Sequence, residues 1–116
     1  MRQRDYRSAT VELYPWGEVR WLHTSETGTK DLAFGEIIIN PGAVEPPHYH
    51  PNCEEVLYLI SGDVEHFFEE SKGLRMKPGM SVHVPAGLKH NSRCTSDEPA
   101  RLLVAYSSAH QQVVQA

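Results

Sequence analysis

Apolar and polar residues alternate along this chain only in short runs, each broken by turn-forming residues before a helical period can establish itself. In order, the runs are GEVRWLH (17–23), LAFGEIIIN (32–40), EVLYLI (55–60), VEHFFEE (64–70), LRM (74–76), MSVHVP (80–85) and RLLVAYS (101–107). Their β-branched and aromatic residues favour a pleated, half-buried backbone. The segments between them, TSETGTKD, PGAVEPP, SGD, ESKG, KPG, PAG and TSDEPA, are dense in Gly, Pro, Ser, Asp and Thr, which favour turns. Eight prolines and eight glycines leave no helical window longer than about two turns. Closely spaced short strands of this kind predict an all-β fold, an antiparallel sandwich or barrel. With 116 residues the chain makes one domain whose core needs no disulfide or structural metal. The barrel is expected over about 17–107, with polar ends, roughly 1–10 and 108–116, that fray or make contacts outside it.

Charge narrows the partners. Fifteen acidic and eleven basic side chains give a net charge of −4, and the basic residues are scattered, with no basic block and no aromatic–basic interleaving. Neither nucleic acid nor an anionic membrane surface is expected as a partner. The first residues, MRQRDYRSAT, lack the apolar core of a signal peptide, and the longest apolar runs, such as VLYLI, are far too short to span a bilayer. Two cysteines, Cys53 and Cys94, are too few for a disulfide scaffold, and a bridge between them is disfavoured in a reducing compartment. A cytoplasmic protein is the resulting expectation. The chain has no GxSxG elbow, phosphate loop, GxGxxG or CxxC, so nucleophilic catalysis and nucleotide binding are unsupported.

The stretch PPHYHPNCEEVLYLISG (46–62) carries the chemistry. His48 and His50 are two residues apart, so on an extended backbone both imidazoles leave the same face. Glu54 or Glu55 follows after a short loop, and His90 follows a second turn-rich stretch. Taken singly, each has an ordinary explanation: a surface or hydrogen-bonded histidine, a solvated turn. Periodicity does not choose between the glutamates, since Glu54 shares a face with Val56, Tyr58 and Ile60, and Glu55 shares one with Leu57 and Leu59. Three neutral imidazoles and a carboxylate would suit Fe, Mn, Ni, Co, Zn or Cu as a divalent ion and are too nitrogen-rich for Ca or Mg.

Spacing then makes a resemblance specific. Gly42-x5-His48-x-His50-x4-Glu55-x6-Gly62 and Gly79-x5-Pro85-x-Gly87-x2-His90 resemble the two motifs of the cupin superfamily, in the right order and separated by sixteen residues. Two departures stand out. Cys94 takes the place of an asparagine that usually ends the second motif, and Met80 that of an acidic residue. The resemblance implies a jelly-roll β-barrel whose mouth holds one divalent metal on His48, His50, Glu55 and His90. The six-residue step to Gly62 selects Glu55 over Glu54.

What the resemblance implies for function is a metalloenzyme acting on a small organic substrate, with dioxygenase-like or lyase/isomerase chemistry, since four protein ligands leave two positions open on an octahedral ion. The alternative is a non-catalytic module that binds or senses a small ligand or metal. Small cupins resembling this chain commonly form homodimers, which sets a second copy as the expected protein partner. Other residues are weaker candidates for the pocket. If Glu55 points inward, so do Leu57 and Leu59; if His90 does, so do Ser92 and Cys94. Glu36 is inward only if Ile38 is. His66 and His83 are expected in cross-strand packing or hydrogen bonding, and Trp16, Trp21, Phe34, Phe67 and Phe68 in the core or a subunit contact; Arg93 and Arg101 could reach a substrate carboxylate, though solvated arginines are commoner.

Overall fold

The computed structural model describes residues 1–69 and 73–116. Its strands are β1 (Thr10–Tyr14), β2 (Gly17–His23), β3 (Ala33–Ile39), β4 (His48–Tyr49), β5 (Glu55–Ser61), β6 (Val64–Phe68), β7 (Leu74–Met76), β8 (Ser81–Val84), β9 (His90–Cys94), β10 (Ala100–Tyr106) and β11 (Val114–Gln115). Every run read from the hydrophobic pattern is a strand, two of them (17–23 and 74–76) with the expected bounds. Glu70, the end of the run 64–70, and the first three residues of the turn ESKG lie outside the described residues.

Two antiparallel sheets face each other, with strand orders β1-β2-β3-β10-β5-β8 and β11-β4-β9-β6-β7. From β3 onward the chain changes sheet at almost every turn, the wiring of a jelly roll. That wiring decides which residues meet. β4 and β9 are far apart in sequence but adjacent in space, with His48 opposite His90. β5 lies in the other sheet beside β10, with Glu55 opposite Tyr106.

Alternation builds the interior. Along β5 the buried residues are Glu55, Leu57 and Leu59, and along β10 they are Ala100, Leu102, Val104 and Tyr106. Leu59, Val64, Met76, Cys94 and Leu102 fill one end of the barrel with apolar side chains at 2% exposure or less. At the other end the same inward-facing series finish in Glu55, His90 and Tyr106. The barrel is thus an apolar plug under a polar mouth.

Both ends of the chain are more ordered than their polarity predicts. β1 pairs with β2 along its whole length, and β11 pairs with β4. Ahead of β1, Asp5 caps a 3-10 turn at Tyr6–Ser8, and the Tyr6 hydroxyl donates to Glu36 at 2.5 Å. Glu36 shares the outer face of β3 with Ile38, not the inner face with Ile37 and Ile39. It is buried there under Tyr6, with Arg101 Nη2 donating to its second oxygen at 2.8 Å. Glu36 and Arg101 are therefore partners on the outside of the barrel and have no place in its mouth.

Two motif glycines mark turns with φ in the left-handed region, Gly62 (+87°) and Gly79 (+93°). They differ in surroundings. A Cβ on Gly62 would lie 2.8 Å from the backbone of Ala100, whereas one on Gly79 would meet nothing within 4 Å. Gly79→Ala is expected to cost about 1 kcal/mol, from backbone strain alone. Gly62→Ala adds a backbone shift and is expected to cost about 3 kcal/mol. Urea unfolding midpoints measure both, and equal losses would contradict this account of the turn after β5.

Candidate metal centre

The four residues singled out in the sequence come together at the barrel mouth. Pro46 and Pro47 deny the approach its ladder bonds, so β4 is only two residues long and His50 lies just past its end. The His48 and His50 rings are 5.0 Å apart, and His48 and His90 4.5 Å. Glu55 reaches the same point from the opposite sheet, with Oε1 at 2.7 Å from His90 Nε2 and 3.4 Å from His50 Nε2. All four residues are buried, and one ligand atom from each falls within 4.8 Å of all the others.

Hydrogen bonds on the far side of each ring explain how the rings are held. His48 Nδ1 lies 3.0 Å from the Pro46 carbonyl, and His50 Nδ1 2.7 Å from the Gln112 carbonyl. Only an Nδ1–H can donate to a carbonyl, so both rings keep a lone pair on Nε2. His90 Nδ1 is 3.2 Å from His66 Nε2, and His66 Nδ1 is 2.9 Å from Ser92 Oγ. With His90 donating from Nδ1, His66 accepts at Nε2 and donates to Ser92, so this chain fixes two tautomers at once. Left facing the centre are His50 Nε2, His90 Nε2 and Glu55 Oε1, buried atoms with no hydrogen-bond partner among the described residues. Three such atoms converging on one point are an unusual cost in a folded interior. The donor set and its orphaned atoms fit a divalent transition metal.

The charges respond to one another. Burial would raise the Glu55 carboxyl, but the His50 and His90 imidazoles beside it outweigh burial and hold it at about 2. Burial pushes His48 down to about 4; it does the same to His66, helped by the neighbouring His90. Burial opposes protonation of His50 too, yet the Glu55 carboxylate prevails and raises it. Burial and then the Glu55 charge push the carboxyl of Glu45 up to about 8. The same two causes lift the Tyr106 hydroxyl well above its usual range.

Next to the cluster opens a chamber of about 650 Å³ whose wall includes Tyr14, Trp16, Trp21, Glu45, Tyr106 and the two histidines of β4's end, His48 and His50. Glu45 also borders a small cavity beside Glu55 and His90. Glu45 and Tyr106 were not legible as pocket residues. Alternation along RLLVAYS places Tyr106 with Leu102 and Val104, and only the wiring reveals that this face ends at the site. Glu45 stands in an irregular segment, PGAVEPP, where no period applies. Trp16 and Trp21, expected in the core or a subunit contact, pack against the core and also face the chamber.

The remaining candidates separate cleanly. Glu54 is exposed and pairs with His83 Nε2 at 2.6 Å on the outer surface. His66, expected in packing or hydrogen bonding, is buried behind His90. Cys53 and Cys94 are buried and free. Arg93 is exposed. Phe34 and Phe67 are partly buried and stand apart from the chamber wall.

These shifts give the metal-free protein a pH dependence of definite sign. His48 and His66 titrate at about 4 when folded against 6.5 ordinarily, so between those values the unfolded chain holds more protons. Stability therefore falls as pH drops through that window, by up to about 1.4 kcal/mol per pH unit for each histidine. Glu45 and His50 are raised, so their contribution is present at low pH and is lost as pH climbs through their folded values. Urea midpoints of EDTA-treated protein should peak at about pH 6.5, and His66→Phe should flatten the acid side. A midpoint constant from pH 5 to 8 would contradict this balance.

Comparison with known proteins places this geometry. The Cupin domain family matches residues 35–106. Polyketide synthase CurC of Streptomyces cyaneus is 34% identical over 89 residues, covering 75% of this chain and 56% of CurC. The chain spans less than two thirds of the length of this and the other curated relatives first matched. Oxalate decarboxylase from Bacillus subtilis superposes with a TM-score of 0.85 at 23% identity, over 95% of this chain and 30% of that one. The polyketide cyclase RemF from Streptomyces resistomycificus gives 0.85 at 19% identity, over 100% and 85% of the two chains. At those identities the structures share a fold. The family match extends from β3 to the end of β10, taking in every strand that carries a member of the cluster, and this chain belongs to the cupin family.

Proposed function

We propose that the protein binds one divalent transition-metal ion through His48, His50, Glu55 and His90 and acts as a metalloenzyme on a small organic substrate. The observation that carries this reading is the set of buried, partnerless atoms, His50 Nε2, His90 Nε2 and Glu55 Oε1, aimed at a common point. A divalent ion bound there would supply Lewis-acid polarisation of a substrate oxygen or, if redox-active, dioxygen activation. Three neutral imidazoles and one carboxylate would leave the site with a net charge of +1, which favours an anionic oxygen donor from the substrate. The Pro46 and Gln112 carbonyls and His66 hold the rings in the orientation this needs. The largely apolar chamber beside them gives a substrate its place. Two relatives support small-molecule chemistry: RemF is named a polyketide cyclase, and the Bacillus subtilis oxalate decarboxylase contains Mn(II) centres. The fold is compatible with dioxygenase-like and with lyase/isomerase chemistry. The two free, buried cysteines suit the reducing cytoplasm proposed as its location.

Elemental analysis of the purified protein is expected to find about one transition-metal ion per chain. His48→Ala and Glu55→Gln should lose it, while Glu54→Gln keeps it. His66→Phe removes the partner of His90 Nδ1 and should weaken affinity by about 10- to 100-fold in a chelator competition. Loss of metal at Glu54 but not Glu55, or wild-type affinity after His66→Phe, would overturn these assignments. Metal bound at full occupancy without turnover of any small organic substrate would favour the binding or sensing reading instead.

We further infer a homodimer through the outer face of β5. Val56, Tyr58 and Ile60 alternate outward there and stay exposed, with exposed Met80 nearby, opposite the end of β5. An apolar stripe on a sheet face is commonly covered by a partner. Sedimentation velocity should report a dimer for the wild type and a monomer for Tyr58→Glu; a monomeric wild type would remove this contact.

A further inference from the structure

The chamber has a composition that a metal site does not require. Tyr14 and Trp16 lie parallel, with centroids 4.9 Å apart and planes 6° from each other. Trp21 and Tyr106 form a second, tilted pair at 5.7 Å, and Tyr106 in turn packs edge-on against His50 at 5.0 Å. These rings come from β1, the turn after it, β2 and β10. Their arrangement is set by sheet pairing rather than by a mobile loop. Flat, rigid aromatic walls favour flat aromatic guests through offset or edge-to-face contacts, and about 650 Å³ is the size of a drug-sized ligand site.

Charge sharpens the class. Among the described residues around the chamber Glu45 is the only carboxyl, and none is a lysine or arginine. A neutral hydroxyl would find an acceptor. Glu45 is held in place from both sides: its backbone N–H donates to the Ser92 carbonyl at 2.9 Å, and the preceding Val44 bridges to Arg93. It faces the chamber and also the small cavity beside Glu55 and His90, so a hydroxyl anchored on it would sit where the chamber meets the candidate metal centre.

We propose that this chamber receives a planar hydroxylated aromatic molecule, its rings against the Tyr14–Trp16 and Trp21–Tyr106 walls and a hydroxyl donated to Glu45. The inference rests on the proposed function in taking the chamber as the ligand site, and names the substrate class. Glu45 is the specificity-determining residue: it selects phenols over their ethers.

The chain has two tryptophans, both on the chamber wall, so the two indole N–H signals in a nitrogen–proton correlation spectrum report occupancy directly. Three probes separate the terms: 2-naphthol, 2-methoxynaphthalene (flat, no donor) and trans-decahydro-2-naphthol (donor, not flat). In EDTA-treated wild type, 2-naphthol should shift both indole signals saturably. The ether and the decahydro alcohol should each bind at least about tenfold more weakly, the loss expected for one buried hydrogen bond or one stacking surface. Glu45→Leu should bring 2-naphthol and its ether to within about twofold of each other, and Glu45→Gln should fall between. Unchanged selectivity in both variants, equal binding of the decahydro alcohol, or no saturable shift would each overturn the proposal. Metal uptake measured on the same samples keeps the two readings apart. Ring-selective binding without metal uptake would sink the metalloenzyme reading alone, and metal uptake without ring selectivity would sink this one alone.

Discussion

The structure depends on the meeting of β4 and β9, which sets His48 opposite His90. Three imidazoles and a carboxylate buried together at one end of a small barrel are tolerable only if their outer atoms are satisfied. The Pro46 and Gln112 carbonyls and the His66–Ser92 pair provide that. Each of these partners constrains a different part of the chain. Gln112 lies in the segment that leads into β11, so the C-terminal end is tied to the mouth through His50 and through its pairing with β4. The polarity of that segment reflects its position at the rim rather than disorder.

The apolar plug and the polar mouth are two ends of the same alternating strands, and that explains the division of labour among them. On β5, Leu57 and Leu59 stabilise while Glu55 serves the site. On β9, Cys94 fills the floor and His90 the mouth, with Ser92 between them holding His66. Removing one partner from the buried Glu55–imidazole group would leave an uncompensated charge, a loss of about 3–5 kcal/mol in comparable buried pairs. The cluster is therefore tied to stability in the metal-free protein even though its arrangement is poorly explained by stability alone. On the outer face of β3, by contrast, Glu36 is fully engaged by Tyr6 and Arg101. Both glutamates are buried, yet only Glu55 leaves an atom unsatisfied.

How much of this could be read from the chain follows from what each signal measures. Alternation found the strands because the barrel buries one face of each, and the spacing from Glu55 to Gly62 separated it from Glu54 where alternation had two apolar faces to offer. β4 and β11 were invisible because each pairs over only two residues, too short for any period. β1 was hidden because every residue in it is exposed, so no apolar face betrays it. The departures from the family pattern are remote from the His–Glu cluster: the Cys94 thiol lies among Ser96 and Glu98 backbone and side-chain atoms at the turn below the barrel, and Met80 is exposed on the turn before β8.

The residues that sequence could not place, Glu45 and Tyr106, are those whose position depends on pairing between distant segments. Tyr106 reaches the mouth only because β10 runs antiparallel to β5, which sets it opposite Glu55. Glu45 reaches it only because the irregular stretch before β4 lies along β9. The four residues of the cluster are local in character, a His-x-His pair and two motif-spaced partners, so their convergence was legible. The wall that would choose a substrate is assembled from side chains of several distant segments. Metal chemistry in such a barrel can therefore be retained by keeping four residues, while the substrate changes through substitutions that leave the motifs intact. Glu45, three residues ahead of His48 yet outside the motif's fixed positions, stands at that boundary.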